Sequence, residues 1–124
     1  MIHEWWGLNE NIKYMAKLLA KQGYRVLAID LYSGQVAADS DTAKKLSGAV
    51  RENPDKAVEK MKLAVDYLKQ KSKKVASLGW CFGGQQSLNI SLAEKLDATV
   101  IYYGHLTDDT EKLSKLQGPV LGIF

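Results

Sequence analysis

The stretch Lys74-Val75-Ala76-Ser77-Leu78-Gly79-Trp80-Cys81-Phe82-Gly83-Gly84 decides how the rest of the chain is read. Its first six residues form a short run of the kind buried in a parallel sheet. After Gly84 the pattern turns helical, carrying Leu88, Ile90 and Leu92. Between the two, Gly79, Cys81 and Gly83 have the G-x-nucleophile-x-G spacing of a strand-to-helix elbow, with cysteine as the nucleophile. The spacing has a steric cause. The nucleophile occupies a strained turn, so the residues two before and two after it must be small where strand and helix backbones approach. A thiol at a helix N-terminus also feels unpaired N–H groups and the positive end of the dipole, which favour thiolate. The Phe82 N–H is then placed to stabilise an oxyanion. The plainer reading is a buried cysteine acting as a small hydrophobe beside packing glycines. It leaves the strand before and the helix after the glycines unexplained.

Outward from the elbow, Gly23–Asp30, Ala98–Tyr103 and Pro119–Phe124 read as further buried strands. Asn9 caps a predicted helix with Ile12, Met15, Ala16 and Leu19 on one face and Gly23 as its stop. Asn53-Pro54 opens another, with Val58, Met61, Val65 and Leu68 as its stripe. A shorter helix is expected from about Asp109 to Leu116. Strands alternating with helices predict an α/β fold, a three-layer α/β/α sandwich around a mainly parallel sheet of about five strands. Residues 1–124 form one domain. The polar segment from Leu31 to Asn53 resists this pattern apart from a short helix around Thr42 to Val50. It leaves the carboxyl end of a strand, so it is expected to be a pocket wall or lid.

Composition narrows the classes. The chain has 124 residues, 46% hydrophobic and 25% charged, with a formal charge of +3. The lysines are scattered along helices, and the cluster Lys69, Lys71, Lys73 and Lys74 lacks the interleaved arginines and aromatics of a nucleic-acid surface. No apolar run approaches the ~20 residues that cross a bilayer, and no leader is expected at the N-terminus, so a cytoplasmic location is expected. One cysteine forms no internal disulfide or C-x-x-C pair. Neither G-x-G-x-x-G after a strand nor Gly-Lys-Ser/Thr is present, which argues against nucleotide binding.

Four segments, His3-Glu4-Trp5-Trp6-Gly7-Leu8-Asn9, Asp30-Leu31-Tyr32, Gly79 to Gly84 and Tyr102-Tyr103-Gly104, follow in an order that resembles the dienelactone hydrolases, a family of α/β hydrolases. The resemblance covers the whole chain and implies a partial α/β-hydrolase fold. It implies hydrolysis of a small ester or lactone through an acyl-thiol intermediate, with no metal or organic cofactor. By the same resemblance Cys81 is the nucleophile and Glu4 places a carboxylate beside the resting thiol, to take its proton when substrate binds. The Trp5 N–H is the second oxyanion donor beside Phe82, and Gly79, Gly83 and Gly84 are the elbow glycines. Trp5 and Trp6 are suited to lining an apolar pocket. His3, pointing to the opposite face of its strand, reads as structural.

The resemblance also places the family's triad aspartate and histidine beyond Phe124. Of the two histidines present, His105 follows a strand next to the elbow strand and is the substitute base to consider. Residues 1 to about 4 are left for a central strand, a reach of ~13 Å against the ~17–20 Å of an ordinary strand. The family's arginine for a substrate carboxylate corresponds to Gly34, with Gln35 and Arg51 as nearby polar residues. Two rivals to an active hydrolase follow. One is a shortened, non-catalytic relative serving as a binding or assembly module, and the other is an enzyme completed by a second chain. The Val26 and Val120 strands would be open edges of a parallel sheet, which predicts homo-oligomers. Light scattering over a concentration series should show mass rising with concentration; a monomer throughout would mean the edges are covered.

Overall fold

A computed structural model describes all 124 residues. Helix α1 spans Glu10–Lys21, α2 Ser40–Glu52, α3 Pro54–Lys69, α4 Phe82–Ala93 and α5 Thr110–Leu113; the strands are β1 Ala76–Trp80, β2 Ala98–Tyr102 and β3 Val120–Ile123. No helix is long and apolar enough to cross a membrane. The caps act as the residue types dictate. Asn9 Oδ1 accepts from the Ile12 N–H at 3.1 Å, and Asp39 does the same for Thr42 at 2.7 Å. At α3 the proline sets the first turn alone, since the Asn53 side chain donates to the Ala49 carbonyl instead.

The strands run parallel in the order β1-β2-β3, with Trp80 opposite Tyr102 and Tyr102 opposite Ile123. Beyond β1 the sheet continues through isolated bridges. Ile2 pairs in parallel with both Gly79 and Ile29, its N–H donating to the Leu78 carbonyl at 2.8 Å. The expected strand over Gly23–Asp30 is therefore an extended segment with one bridge. Its neighbour offers only Met1 and Ile2 for pairing, too few groups for a ladder.

Five parallel segments thus lie in the order 27–29, 1–3, β1, β2, β3. The chain leaves residues 1–3 in one direction, through α1 to residues 27–29, then returns across the sheet through α2 and α3 to β1. Right-handed crossovers in opposite directions put their helices on opposite faces, so α1 covers one face and α3 and α4 the other. The core joins Ile2 and Val75 of the sheet to Met61 and Val65 of α3 and Phe82 and Ile90 of α4.

Helix α4 starts at Phe82 and so takes in the glycine pair Gly83-Gly84 that was expected to precede it. Its inward face carries polar residues. Ser77 and Ser87 Oγ lie 2.7 Å apart and Ser91 Oγ and Thr99 Oγ1 2.6 Å apart, so each buried hydroxyl is paired between strand and helix. Helix α2 replaces most of the expected loop. Its first turn, Ser40 to Ala43, is led by Asp39; Ala43 and Ser47 are buried, and Leu46 and Val50 pack half-buried against the core.

His3 is fully buried beside the 1–3 segment, edge-on to Tyr32 at 4.5 Å and stacked on Phe82 at 5.7 Å. Its Nε2 accepts from the Leu31 N–H at 3.1 Å, and its Nδ1 lies 2.6 Å from the Glu4 carbonyl oxygen. One ring therefore joins the 1–3 segment to the chain leaving residues 27–29.

Two predictions follow from this packing. A Cβ on Gly79 would collide with the Gly83 carbonyl, whereas one on Gly48 meets nothing within 4 Å. Gly79→Ala should cost on the order of 3 kcal/mol or more, while Gly48→Ala in α2 should stabilise by about 0.5–1 kcal/mol, both read by urea unfolding. Equal effects at the two positions would contradict the packing. For pH, burial holds the His3 pKa below its ordinary value, partly offset by the Glu4 carbonyl and the Asp30 charge. The unfolded chain therefore binds the extra proton first, and stability should fall as pH drops below the unfolded value of about 6.5. The Met1 amine, lowered by burial to about 6, acts with the same sign at higher pH. The slope below about pH 6.5 should flatten in His3→Gln. An unchanged slope would show that another group controls it.

Candidate active site

Sheet topology locates the site before any side chain does. The connection after residues 1–3 and the connection after β1 diverge to opposite faces, and in open α/β sheets ligands bind at such a switch point. Glu4 and Cys81 are the first residues past the two strand ends that flank it.

Cys81 has φ 54° and ψ −118°, a left-handed conformation that a non-glycine residue adopts only under constraint. Its N–H donates to the Tyr102 carbonyl at 3.0 Å and its carbonyl accepts from Gln85 at 3.2 Å, so strand and helix hold the turn from both sides. Added Cβ atoms show why the glycines are required. One on Gly79 would meet the Gly83 carbonyl, and one on Gly83 would meet the carbonyls of Ile2 and His3. Gly84 lies against Gly104, where a Cβ would come within 2.9 Å of Tyr102 O. Cys81 itself is half-buried and forms no disulfide.

Two N–H groups of these segments find no acceptor in the protein. Phe82 is the first residue of α4, so its N–H has no intrahelical acceptor. The Trp5 N–H donates to no backbone or side-chain acceptor. The tight turn from Glu4 to Gly7 is closed by the Gly7 N–H on the Glu4 carbonyl at 3.2 Å, with Gly7 at φ 98°. The Tyr32 hydroxyl donates to the Trp5 carbonyl at 3.0 Å, and burial pushes its phenol pKa up, which keeps the donor protonated.

Glu4 is half-buried, and its carboxylate forms no ion pair or hydrogen bond, with Cys81 included. Both lie within electrostatic range of the exposed Tyr103. The Tyr103 phenol is pushed up by desolvation and then by the charges of Glu4 and Cys81. Tyr103 is itself strained, at φ 37°, with its N–H on the Ile123 carbonyl at 2.7 Å. His105 is exposed and makes no side-chain hydrogen bond or ion pair, so nothing orients its ring. Trp5 and Trp6 contact each other edge-to-face at 5.0 Å, both half-buried beside the turn.

Helix α2 brings a cation that sequence position alone did not place. Arg51 Nε donates to Gln85 Oε1 at 3.2 Å, Nη1 donates to Ser47 Oγ at 3.3 Å, and the guanidinium lies 5.5 Å from the Phe82 ring centroid. Gln35 lies elsewhere. It lines a cavity of about 330 Å³ with Tyr32, Leu46, Val50, Lys56 and Lys60, and Arg51 is not among the lining residues. The expected wall thus sends Arg51 to the first turn of α4 and lines that cavity with Leu46, Ala49 and Val50. The signal for Arg51 is the Ser47/Arg51 spacing of i, i+4, visible only once residues 40–52 are known to be helical.

The family model described as the dienelactone hydrolase family matches residues 1–124. Protein usf of Aquifex pyrophilus is 38% identical over 114 residues, covering 84% of this chain and 49% of that protein. A carboxymethylenebutenolidase homolog of Mus musculus is 29% identical, covering 92% and 48%. Among solved structures, m3DLH superposes with a TM-score of 0.86 at 26% identity, covering 98% of this chain and 53% of that one. A dienelactone hydrolase-like promiscuous phosphotriesterase, P91, from metagenomic libraries superposes at 0.83, also at 26% identity, with the same coverage. The chain spans about half the length of these relatives. With the elbow, the glycine contacts and the α/β-hydrolase sheet order in agreement with the match over its full length, the chain belongs to the dienelactone hydrolase family.

Proposed function

We propose that this chain carries the nucleophile-bearing part of a cysteine hydrolase that cleaves an ester or lactone bond through an acyl-thiol intermediate. The observation that carries the proposal is the constrained Cys81 at φ 54°, set between β1 and α4 by glycines that tolerate no side chain. A structural cysteine needs neither that strain nor that position.

The steps follow from the groups present. Cys81 Sγ, as thiolate, attacks the acyl carbon, and the carbonyl electrons move onto oxygen. The Trp5 and Phe82 N–H groups hold that oxyanion, a contribution worth about 10²–10³-fold per donor in comparable sites. Collapse expels the alkoxide or phenolate and leaves a thioester on Cys81. Glu4 is the proposed acceptor of the thiol proton, which requires its carboxylate to swing toward Sγ when substrate enters. Deacylation needs a base to activate water. His3 has both ring nitrogens engaged, and His105 has no partner to orient it. Neither is suited to the task, so the family's acid and base are proposed to lie outside these 124 residues.

Acylation and release should therefore separate. With p-nitrophenyl acetate this chain should give a burst of at most one product per Cys81. The steady rate that follows should stay near that of buffer, since general-base catalysis worth about 10²–10⁴-fold is missing. Mass spectrometry should find the acetyl group on Cys81, and Cys81→Ala should remove the burst. No burst would favour a non-catalytic binding module. Sustained turnover lost in His105→Ala would make His105 the base.

A further inference from the structure

We propose that His3 is a positioning residue for the oxyanion site: its imidazole orients the peptide that presents the Trp5 N–H. The inference rests on the reading of Cys81 as a nucleophile that is acylated.

The tautomer follows from the partners. The Leu31 N–H donates to Nε2 at 3.1 Å, so that nitrogen is an acceptor and carries no proton. Burial lowers the His3 pKa, which keeps the ring neutral, and its single proton then sits on Nδ1. Nδ1 lies 2.6 Å from the Glu4 carbonyl and donates to it. The Gly7 N–H donates to the same oxygen at 3.2 Å.

The Glu4 carbonyl and the Trp5 N–H belong to one peptide plane. No peptide bond in the chain is cis, so the two groups lie in that plane and point in opposite directions along it. Drawing the carbonyl toward His3 and Gly7 therefore turns the Trp5 N–H away from them, where it meets no acceptor in the protein. The same ring stacks on Phe82, the other donor residue, and the His3 carbonyl faces the space that a Cβ on Gly83 would occupy. Both oxyanion donors are thus referred to one buried imidazole.

Two variants separate positioning from packing. His3→Asn keeps a donor where Nδ1 stands, and His3→Gln keeps an acceptor where Nε2 stands. On the full chain, stopped-flow acylation by p-nitrophenyl acetate is compared with alkylation by iodoacetamide, which needs the thiolate and no oxyanion donor. His3→Gln should lower the acylation rate about tenfold or more while alkylation stays within about twofold, and His3→Asn should recover most of the acylation. Equal loss of both rates, no loss of either, or equal impairment of the two variants would overturn the proposal. Independently of any variant, ¹⁵N shifts of wild-type His3 should report the Nδ1–H tautomer; an Nε2–H tautomer would also overturn it. A wild-type chain that alkylates but never acylates would instead defeat the hydrolase reading beneath it.

Discussion

The contact on which this structure turns is backbone against backbone, where the first turn of α4 presses on the ends of β1 and the 1–3 segment. Gly79 meets Gly83 there, and Gly83 meets the carbonyls of Ile2 and His3. Nothing larger than hydrogen fits between them. The approach forces the single residue in the bend, Cys81, into a left-handed conformation that costs on the order of 1–3 kcal/mol. It also puts the thiol at a helix N-terminus and at the switch point of the sheet. Conformation, electrostatics and location of Cys81 are three results of one steric constraint.

A second layer converts that constraint into an oriented site. His3, Tyr32 and Phe82 form a buried aromatic cluster that touches each segment meeting at the sheet end. Every polar atom in it is spent on a backbone group. His3 Nδ1 takes the Glu4 carbonyl, His3 Nε2 the Leu31 N–H, and the Tyr32 hydroxyl the Trp5 carbonyl. Both carbonyls of the Glu4–Trp5 turn are thereby held from the core side, while the Trp5 N–H stays free. Preorganised donors of this kind cost no rearrangement when charge develops, which is why they matter to catalysis.

Helix α2 packs Leu46 and Val50 against the core and shapes the site through its polar residues. Ser47 is buried and receives Arg51, and Arg51 reaches the Phe82 ring and Gln85. A positive charge without a carboxylate partner therefore stands beside the first turn of α4. The hydroxyls of Ser77, Ser87, Ser91 and Thr99 make a similar point deeper in the fold, because a buried polar group is tolerated once it is paired.

How much of this was legible in the chain depends on the range of each interaction. Caps, the proline-led helix, the alternation of strand and helix, and the elbow with its glycine spacing are local, and those residues determined them by sequence alone. The resemblance carried by the His3–Asn9 and Gly79–Gly84 segments led to the family for the same reason. The segment at 24–29 was misjudged as a full strand because strand length depends on the neighbour, and its neighbour here offers two residues. The short helix expected around Thr42 to Val50 is present and longer, running Ser40–Glu52, because the Asp39 cap starts it two residues earlier. His3 was legible only as a strand residue facing the core. Its role needs Leu31, Glu4, Gly7 and Phe82 brought around one ring, and Arg51 needs α2 folded against α4. The sequence by itself determined where the elbow lies and that Cys81 occupies its bend, since the elbow is a matter of spacing. Only the tertiary structure decided which groups orient that residue's surroundings, because those hydrogen bonds join segments distant in the chain.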